Sequence, residues 1–464
     1  MVSWFDSLKR AKNRSQADKK QVSCRANDCF FVISPTNSIV MKNNIKCLLG
    51  LLLLGGSFSL SSCRHMEMTN DQWREIVQYN YPVDSIDSYH TWNLLQDKAL
   101  TIRVNIADQD IKTVQVLNGN PYLTEGVEIL AERPCRTGQV VNPSFKVPTV
   151  APTLYVAAVN GQGRYYVVPV ENATDVTIGG SKVINDGTLH QPIYQTFTYL
   201  FEEDYPLPGD FDFNDVVLRI SQHAVNDSTL ALQVTLAAVG AANQIGAAIR
   251  LPHINRDDVK DVTIEEGSRF DEGYGISRYY ISDDELVSGG LDGSAVINLF
   301  EDAHWCMKAE ESMGQVVRMR YNTMKYEVEN EAATVPTVTR TYDVHLKSNI
   351  NAYYLSLADI DPFIIVASSG LCVEVHTYIH KYDEAIWHYT TGPGDQDDRV
   401  PWALMIPDAS FHYPVEGIAI GMYRDGQISG AYSRYNHSFG QWGRNRNSYK
   451  DWWLYENATK AQVY

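Results

Sequence analysis

From Trp92 onward, apolar and polar residues alternate along the chain with a period of two. Leu100-Thr101-Ile102-Arg103-Val104-Asn105-Ile106 and Val114-Gln115-Val116 place every second side chain on one side of an extended backbone. Leu154 to Val159 and Tyr165 to Val168 are instead unbroken apolar runs, closed by Asn160-Gly161 and by Pro169. Short strands with Gly, Pro and Asn between them predict a β-sandwich over 91–182, and Thr149 to Pro152 reads as a loop within it. Gly179-Gly180 and Asn185-Asp186-Gly187 mark the next boundary. Strand-like runs continue beyond it at Thr229 to Leu236, Val335 to Leu346, Phe363 to Val366 and Val373 to Ile379. Helical spacing is best at Asp302 to Ala309; Asp71 to Tyr79 would form a shorter helix with Trp73, Ile76 and Val77 on one face. The expected fold is mainly β, an N-terminal β-sandwich followed by a larger β-sandwich-like domain over 183–464.

The chain before Trp92 has a different character. Met41, Lys42 and Lys46 open a basic segment, Leu48 to Leu60 is apolar, and Leu60-Ser61-Ser62-Cys63 follows. A basic start, a short apolar stretch and small residues before a cut make a secretory signal, and the stretch is shorter than the roughly 20 residues a spanning helix needs. The Leu-Ser-Ser-Cys ending resembles a bacterial lipobox, which makes 41–62 the signal peptide and Cys63 the lipidated first residue. Residues 64 to about 90 then read as a tether, the tether segment being 63–90 with the cysteine included. Residues 1–40, basic and without periodicity, read as an extension ahead of the true start at Met41.

Charge narrows the partners. Residues 1–62 hold nine of the 39 Lys and Arg and three of the 56 Asp and Glu. The remainder therefore has 30 basic against 53 acidic residues, a formal charge of −23. Nucleic-acid binding, which relies on neutralising phosphates, is disfavoured. Four of the seven cysteines lie at or after Cys63, the others being Cys135, Cys306 and Cys372. With Cys63 lipidated an odd number remains without CxxC spacing, which argues against a disulfide framework or a zinc site, although one pair could bridge.

The densest chemistry is Asp210-Phe211-Asp212-Phe213-Asn214-Asp215, followed by Val216-Val217-Leu218 and preceded by Glu202, Glu203 and Asp204 across a Pro206/Pro208/Gly209 turn. Crowded carboxylates repel one another, and a hard cation taking roughly six to eight oxygen ligands relieves the repulsion. Asp210, Asp212, Asn214 and Asp215 are the candidate Ca²⁺ ligands, with Glu203 and Asp204 completing the shell. The spacing departs from an EF-hand: Asp215 stands at the turn-glycine position, Ser221 at the twelfth, and strands flank it. The alternative is that Asp and Asn cap turns at the strand entrance. A second acidic loop, Pro393 to Asp398, reads as solvated surface. Glu374, His376, Tyr378 and His380 would share one strand face, read as the wet face rather than as a transition-metal site. No G-x-S-x-G, H-E-x-x-H or glycine-rich phosphate loop occurs, and His304 near Cys306 does not by itself make a nucleophile pair.

Phe201-Glu202-Glu203-Asp204-Tyr205-Pro206 followed by Gly209-Asp210-Phe211-Asp212-Phe213-Asn214-Asp215-Val216-Val217 resembles the signature of the LruC-type domain, a family of bacterial envelope lipoproteins with a domain of unknown function. Further echoes are Asn298 to His304, Asp361 to Ile364, Glu374 to His376, Pro401 to Leu404, Tyr413 to Glu416 and Asp451 to Trp453, over about 195–455. Tyr378 to Tyr389 departs from the family in lacking a Pro/Gly turn. The resemblance implies export, lipid anchoring and a Ca²⁺-dependent β-rich fold, and no established activity. The expectation is an outer-membrane lipoprotein, on the surface or periplasmic face, acting as a non-catalytic binding module for glycan or an envelope or host protein. Trp442, Trp452 and Trp453 would stack on sugars or belong to the core. The alternatives are a glycan-active hydrolase using paired carboxylates and a fimbria-like assembly subunit.

Overall fold

The computed structural model describes residues 83, 85–87, 89–150, 152–171, 174–185, 187–205, 209–264, 286–290, 292–307, 310–312, 315–317, 319–368, 371–377, 389–390 and 400–464, with short stretches at 31–33, 39–41 and 66–68. Cys63, the helix expected at 71–79, Tyr378, His380 and the loop 393–398 lie outside the described residues. The chain divides into two compact units, 1–76 and 77–464. In the first, Phe31–Ile33, Ile39–Met41 and Met66–Met68 form a small antiparallel sheet. The second is mostly β and of sandwich type. No helix among the described residues is long and apolar enough to cross a membrane.

The first strands of this unit are β1 (Leu95–Ala99), β2 (Thr101–Val104), β3 (Ile111–Leu117), β4 (Glu128–Pro134), β5 (Val140–Val141), β6 (Ser144–Pro148), β7 (Tyr155–Asn160), β8 (Tyr165–Pro169), β9 (Asp175–Ile178) and β10 (Ile193–Tyr194). A five-stranded sheet runs β8-β7-β3-β4-β10, a three-stranded one β9-β2-β5, and β1 pairs with β6. In β2 the alternation holds: Ile102 and Val104 are buried, Arg103 is exposed. Val114, Val116, Val156 and Ala158 join those residues in one core. Ala157, Tyr165 and Val167 face a second core with Leu117 and Ile129. A sheet covered on both faces explains why Leu154 to Val159 reads as an unbroken apolar run. β10, beyond the glycine-rich 179–187 segment, still pairs in parallel with β4.

The larger sandwich follows at once with β11 (Thr196–Phe201), β12 (Val216–Asn226), β13 (Thr229–Ala238), β14 (Gln244–Asn255), β15 (Val259–Ile264), β16 (Val287–Gly289), β17 (Ser294–Phe300), β18 (Val338–Leu346), β19 (Asp361–Ser368), β20 (Leu371–His376) and β21 (Ala403–Ile406). One antiparallel sheet runs β15-β18-β13-β12-β11-β21, the other β16-β17-β14-β19-β20. Tyr342 on β18 donates its hydroxyl to the Leu299 carbonyl on β17, a 3.2 Å bond joining the two sheets. The helix expected at Asp302 to Ala309 is the short α1 (Ala303–Met307), whose entry is fixed by the Asp302 carboxylate accepting from His304 N at 3.0 Å.

After β21 the chain has little regular structure and is held by aromatic packing. The helix α2 (Phe439–Arg444) starts at Ser438, whose hydroxyl accepts from Gln441 N. Trp442 and Trp452 stack 6.0 Å apart, Phe439 packs against Trp452 at 5.4 Å, and Trp92 stacks on Phe439 at 5.1 Å. Trp442, Trp452 and Trp453 are therefore core residues with 5 % exposure or less, and the sugar-platform alternative for them is corrected. The end of the expected tether is docked here as well: Asp87 binds Arg446, and a His90 ring nitrogen lies 3.0 Å from the Trp442 carbonyl. Replacing Trp452 by Ala should remove about 3–5 kcal/mol of stability, read as a fall in the urea unfolding midpoint. A change below about 1 kcal/mol would contradict this placement of the core.

Candidate metal centre

The loop between β11 and β12 is built around two unusual backbone positions. Phe211 and Phe213 have φ of 54° and 55°, the left-handed region that costs a non-glycine residue roughly 1–3 kcal/mol. Both rings are buried. Phe211 packs against Trp402 at 6.0 Å and Phe213 against Phe439 at 5.9 Å. The two rings thus anchor the loop in the aromatic core, and the polar residues between them follow. Glu202, Asp212 and Asn214 are buried with at most 1 % exposure.

Three carboxylates converge here: Glu202, Asp210 and Asp212 each offer an oxygen within 4.8 Å of the others, with Asp210 exposed at the rim. One Glu202 oxygen accepts from Phe213 N, while Oε2 is buried with no hydrogen-bond partner. Asp212 accepts from Asn214 N at 3.1 Å and from Gly417 N at 2.7 Å, which ties the loop to a segment 200 residues later. Asn214 donates to the Pro414 carbonyl at 3.0 Å, and its Oδ1 is likewise buried and unpartnered. Two glycines permit the crowding. A Cβ on Gly209 would lie 2.6 Å from Glu202 Oε2 and 2.9 Å from Asp204 Oδ2. A Cβ on Gly240 would lie 2.1 Å from Asn214 Oδ1 and 3.1 Å from Glu416 Oε2.

The six residues expected as ligands therefore divide. Asp210 and Asp212 sit in the cluster, and Asp204 borders it beside Gly209. Asn214 Oδ1 lies with Glu416 Oε2 beside Gly240, at the border of the cluster. Both Glu203 oxygens accept main-chain N–H groups, of Ala242 at 2.7 Å and Asn243 at 2.9 Å. Asp215 accepts from Glu203 N at 2.6 Å. Glu203 and Asp215 thus do the turn-fixing work that was the alternative for the whole run, while Glu202 takes the central position. Glu416 is the other residue the sequence pattern misses; its Oε1 pairs with Arg320 at 3.0 Å and its Oε2 is buried without a partner. Its only signal was membership of the Tyr413-Pro414-Val415-Glu416 echo.

Electrostatics follow from the crowding. Burial, then the charges of Asp215, Asp212 and Asp210, push the Glu202 carboxyl well above its ordinary range. Asp212 is raised in the same way, by burial first and then by Asp210 and Glu416. Desolvation followed by Glu203 and Asp210 lifts Asp204 to about 6. Glu416 is lifted to about 7 by desolvation, with Arg320 opposing.

A second buried cluster lies on the other sheet. Contrary to the expected wet face, Glu374 and His376 of β20 are 2 % and 1 % exposed. His376 holds Asp361 at 2.9 Å on one ring nitrogen and Glu374 at 3.0 Å on the other. Arg250 pairs with Asp361 at 3.1 Å and with Asp292 at 2.8 Å. Burial works against the imidazolium, but Asp361 and Glu374 outweigh it and leave the His376 pKa raised. With a carboxylate on each nitrogen and Phe363 stacked on the ring at 4.4 Å, this is a structural charge network. Cys135, Cys306 and Cys372 are free thiols.

Residues 228–453 match the model of a family described as a domain of unknown function (DUF4842). Among curated proteins, none matches the chain. A solved structure described as a "Putative lipoprotein from Bacteroides ovatus" is similar at 14% identity, covering 77% of this chain and 99% of that one with a TM-score of 0.45. At that identity and score the likeness adds nothing to the reading of the site.

The raised carboxyls set a pH dependence. A group with a folded pKa above its unfolded value keeps a proton in the folded state that the unfolded chain releases, so stability falls as pH rises between the two. For Asp204 the interval runs from 3.8 to about 6, and for Glu416 from 4.5 to about 7. Glu128, raised from 4.5 to about 7 by burial, and His376 act in the same direction. Burial lowers His90 from 6.5 to about 4 and lowers His223, and both oppose it over part of the interval. Carboxylates with lowered pKa, such as Asp292, change stability below the ordinary carboxylate range. Protein freed of divalent ions should melt at progressively lower temperature as pH rises from about 4.5 to about 7. A melting temperature that climbs over this window would contradict the geometry.

Proposed function

We propose that this is an exported envelope lipoprotein of LruC type, anchored to the outer membrane through lipid on Cys63, that serves as a non-catalytic binding module for glycan or protein. A structural Ca²⁺ held by Glu202, Asp210 and Asp212 orders the loop that carries Phe211 and Phe213. One observation carries the cation: Glu202 Oε2 is fully buried, without a partner, among other carboxylates. Leaving such an oxygen charged and unpaired is costly. Only hard oxygen donors surround it, the donor type that Ca²⁺ takes and that softer metals leave to nitrogen and sulfur. Asn214 and Glu416 add further oxygens at the border. The signal layout of 41–62 supports the anchor.

Melting the purified protein in EDTA and then in Ca²⁺ tests the cation. An ion that binds only the folded state adds about 2.7 kcal/mol at one hundred times its Kd, so Ca²⁺ should raise Tm by several degrees. Asp212→Ala should abolish the rise, and Glu202→Gln, which keeps the side chain's shape, should abolish it while stabilising the chelated protein. No rise in the wild type, or an equal one in both variants, would remove Ca²⁺ from the reading.

The anchor has its own readout. In a bacterial host fed labelled palmitate, the protein should take up label and partition with membranes. Cys63→Ala should eliminate both; a variant still labelled would place the lipid elsewhere.

A further inference from the structure

Next to the Glu202 cluster, a second set of oxygens converges on Gly240, in the turn between β13 and β14. A Cβ on this glycine would lie 2.1 Å from Asn214 Oδ1, 2.9 Å from the Asn214 main-chain oxygen and 3.1 Å from Glu416 Oε2. The missing side chain leaves the space that the three share. Gly240 is itself fixed there, since its N–H donates to the Asn214 carbonyl at 3.0 Å and its carbonyl accepts from Arg320 Nε at 2.7 Å.

Asn214 is fully buried, and neither its Oδ1 nor Glu416 Oε2 has a hydrogen-bond partner. Turning the amide round does not cure this. Asn214 Nδ2 donates to the Pro414 carbonyl at 3.0 Å, and a flip would set two acceptors against each other at that point. Arg320 pairs through Nη2 with the other Glu416 oxygen, at 3.0 Å, and leaves Oε2 unmatched. Acceptors withdrawn from water without a donor carry a cost, and a cation that they wrap relieves it. The position is not sealed: Glu416 keeps 17 % and Arg320 45 % of its side-chain surface exposed, so an ion can enter past that pair.

Charge points the same way. Glu203 and Asp215 are answered by main-chain N–H groups. Glu202, Asp204, Asp210, Asp212 and Glu416 then bring five negative charges against one positive charge from Arg320. One divalent ion on the Glu202 cluster leaves two of them unbalanced, which is the charge of another. A carboxylate, a side-chain amide and a main-chain carbonyl are also the mixture of oxygens that Ca²⁺ takes, with water filling its shell.

We propose that Asn214, through Oδ1 and its main-chain oxygen, and Glu416, through Oε2, hold a second Ca²⁺ beside the first. The inference rests on the cation reading of Glu202 and extends it to a paired-ion centre. Asn214 stands on the loop that the first ion orders, and the two ions repel each other, so the second site fills after the first. The competing occupant is a water molecule, whose two hydrogens satisfy Oδ1 and Oε2 without adding charge.

Native mass spectrometry of the whole protein, stripped with EDTA, desalted and titrated with Ca²⁺, counts the ions. The wild type should take up two, the second at higher Ca²⁺ concentration. Glu416→Gln, which keeps the side chain's shape, should stop at one, while Ca²⁺ still raises its Tm and so reports a folded chain with the first ion in place. Asp97→Asn, a remote site whose side chain is 84 % exposed, should keep both. A wild type that stops at one ion, or a Glu416→Gln variant that still takes two, would overturn the second site and leave the first standing. No bound ion at all would overturn both.

Discussion

The structure depends on negative charge being tolerated at the mouth of the β11–β12 hairpin. Burying each phenylalanine ring of the loop yields about 1.5–3 kcal/mol, and each left-handed backbone position costs roughly 1–3. Ring burial therefore about offsets the strain at Phe211 and Phe213 and leaves little against the repulsion among Glu202, Asp210 and Asp212. The remaining imbalance has two remedies, protons or a cation. Protonation, which the raised pKa of Glu202 and Asp212 favours, removes the repulsion by neutralising the carboxyls. A divalent ion removes it while leaving the carboxylates ionised.

The same sandwich solves a similar problem differently on its other sheet. Around Asp361 and Glu374 the protein supplies its own cations, Arg250 and His376, and each buried carboxylate meets one directly. Around Glu202 no such partner stands among the described residues; Arg320 pairs with Glu416 at the border. Buried charges are stable when matched nearby. One cluster is matched by its own sequence, and the other has matching donors for an ion from solution. This contrast favours an external cation more strongly than acidity alone, because acidic surface loops are common without one.

Period-two alternation made the strands legible, and Ile102 and Val104 lie as the pattern requires. Where it was broken, as in Leu154 to Val159, the cause is a sheet with both faces covered, something local sequence does not reveal. The same ambiguity misplaced Glu374 and His376: a polar row on a strand reads as wet unless its long-range counter-ions are known, and Asp361 and Arg250 come from other strands. In the candidate site the density of carboxylates was visible, but their division of labour was not. Glu202 and Glu203 are neighbours in sequence, yet the chain turns between them, sending one carboxylate inward and the other to the N–H groups of Ala242 and Asn243. Glu416 is separated from the loop by 200 residues and was marked only by the Tyr413 to Glu416 echo.

That separation shows what an ion here would do mechanically. Asp212 reaches Gly417, Asn214 reaches Pro414, Glu416 N donates to Thr323 and Val415 N to Gln462. Four stretches of chain, around 212, 323, 415 and 462, meet at one border. Closing loops of this length costs conformational entropy that grows slowly with their size, and an ion bound only to the folded chain offsets part of that cost with its binding free energy. Extracellular domains often lower the same cost with disulfides, which constrain the unfolded chain, but Cys135, Cys306 and Cys372 are free thiols here. A cation seated on Glu202, Asp210 and Asp212 would instead fix the loop that carries the Asp212 and Asn214 contacts. It would link the first hairpin of the larger sandwich to its last segments in a way that divalent ion concentration, rather than redox state, controls.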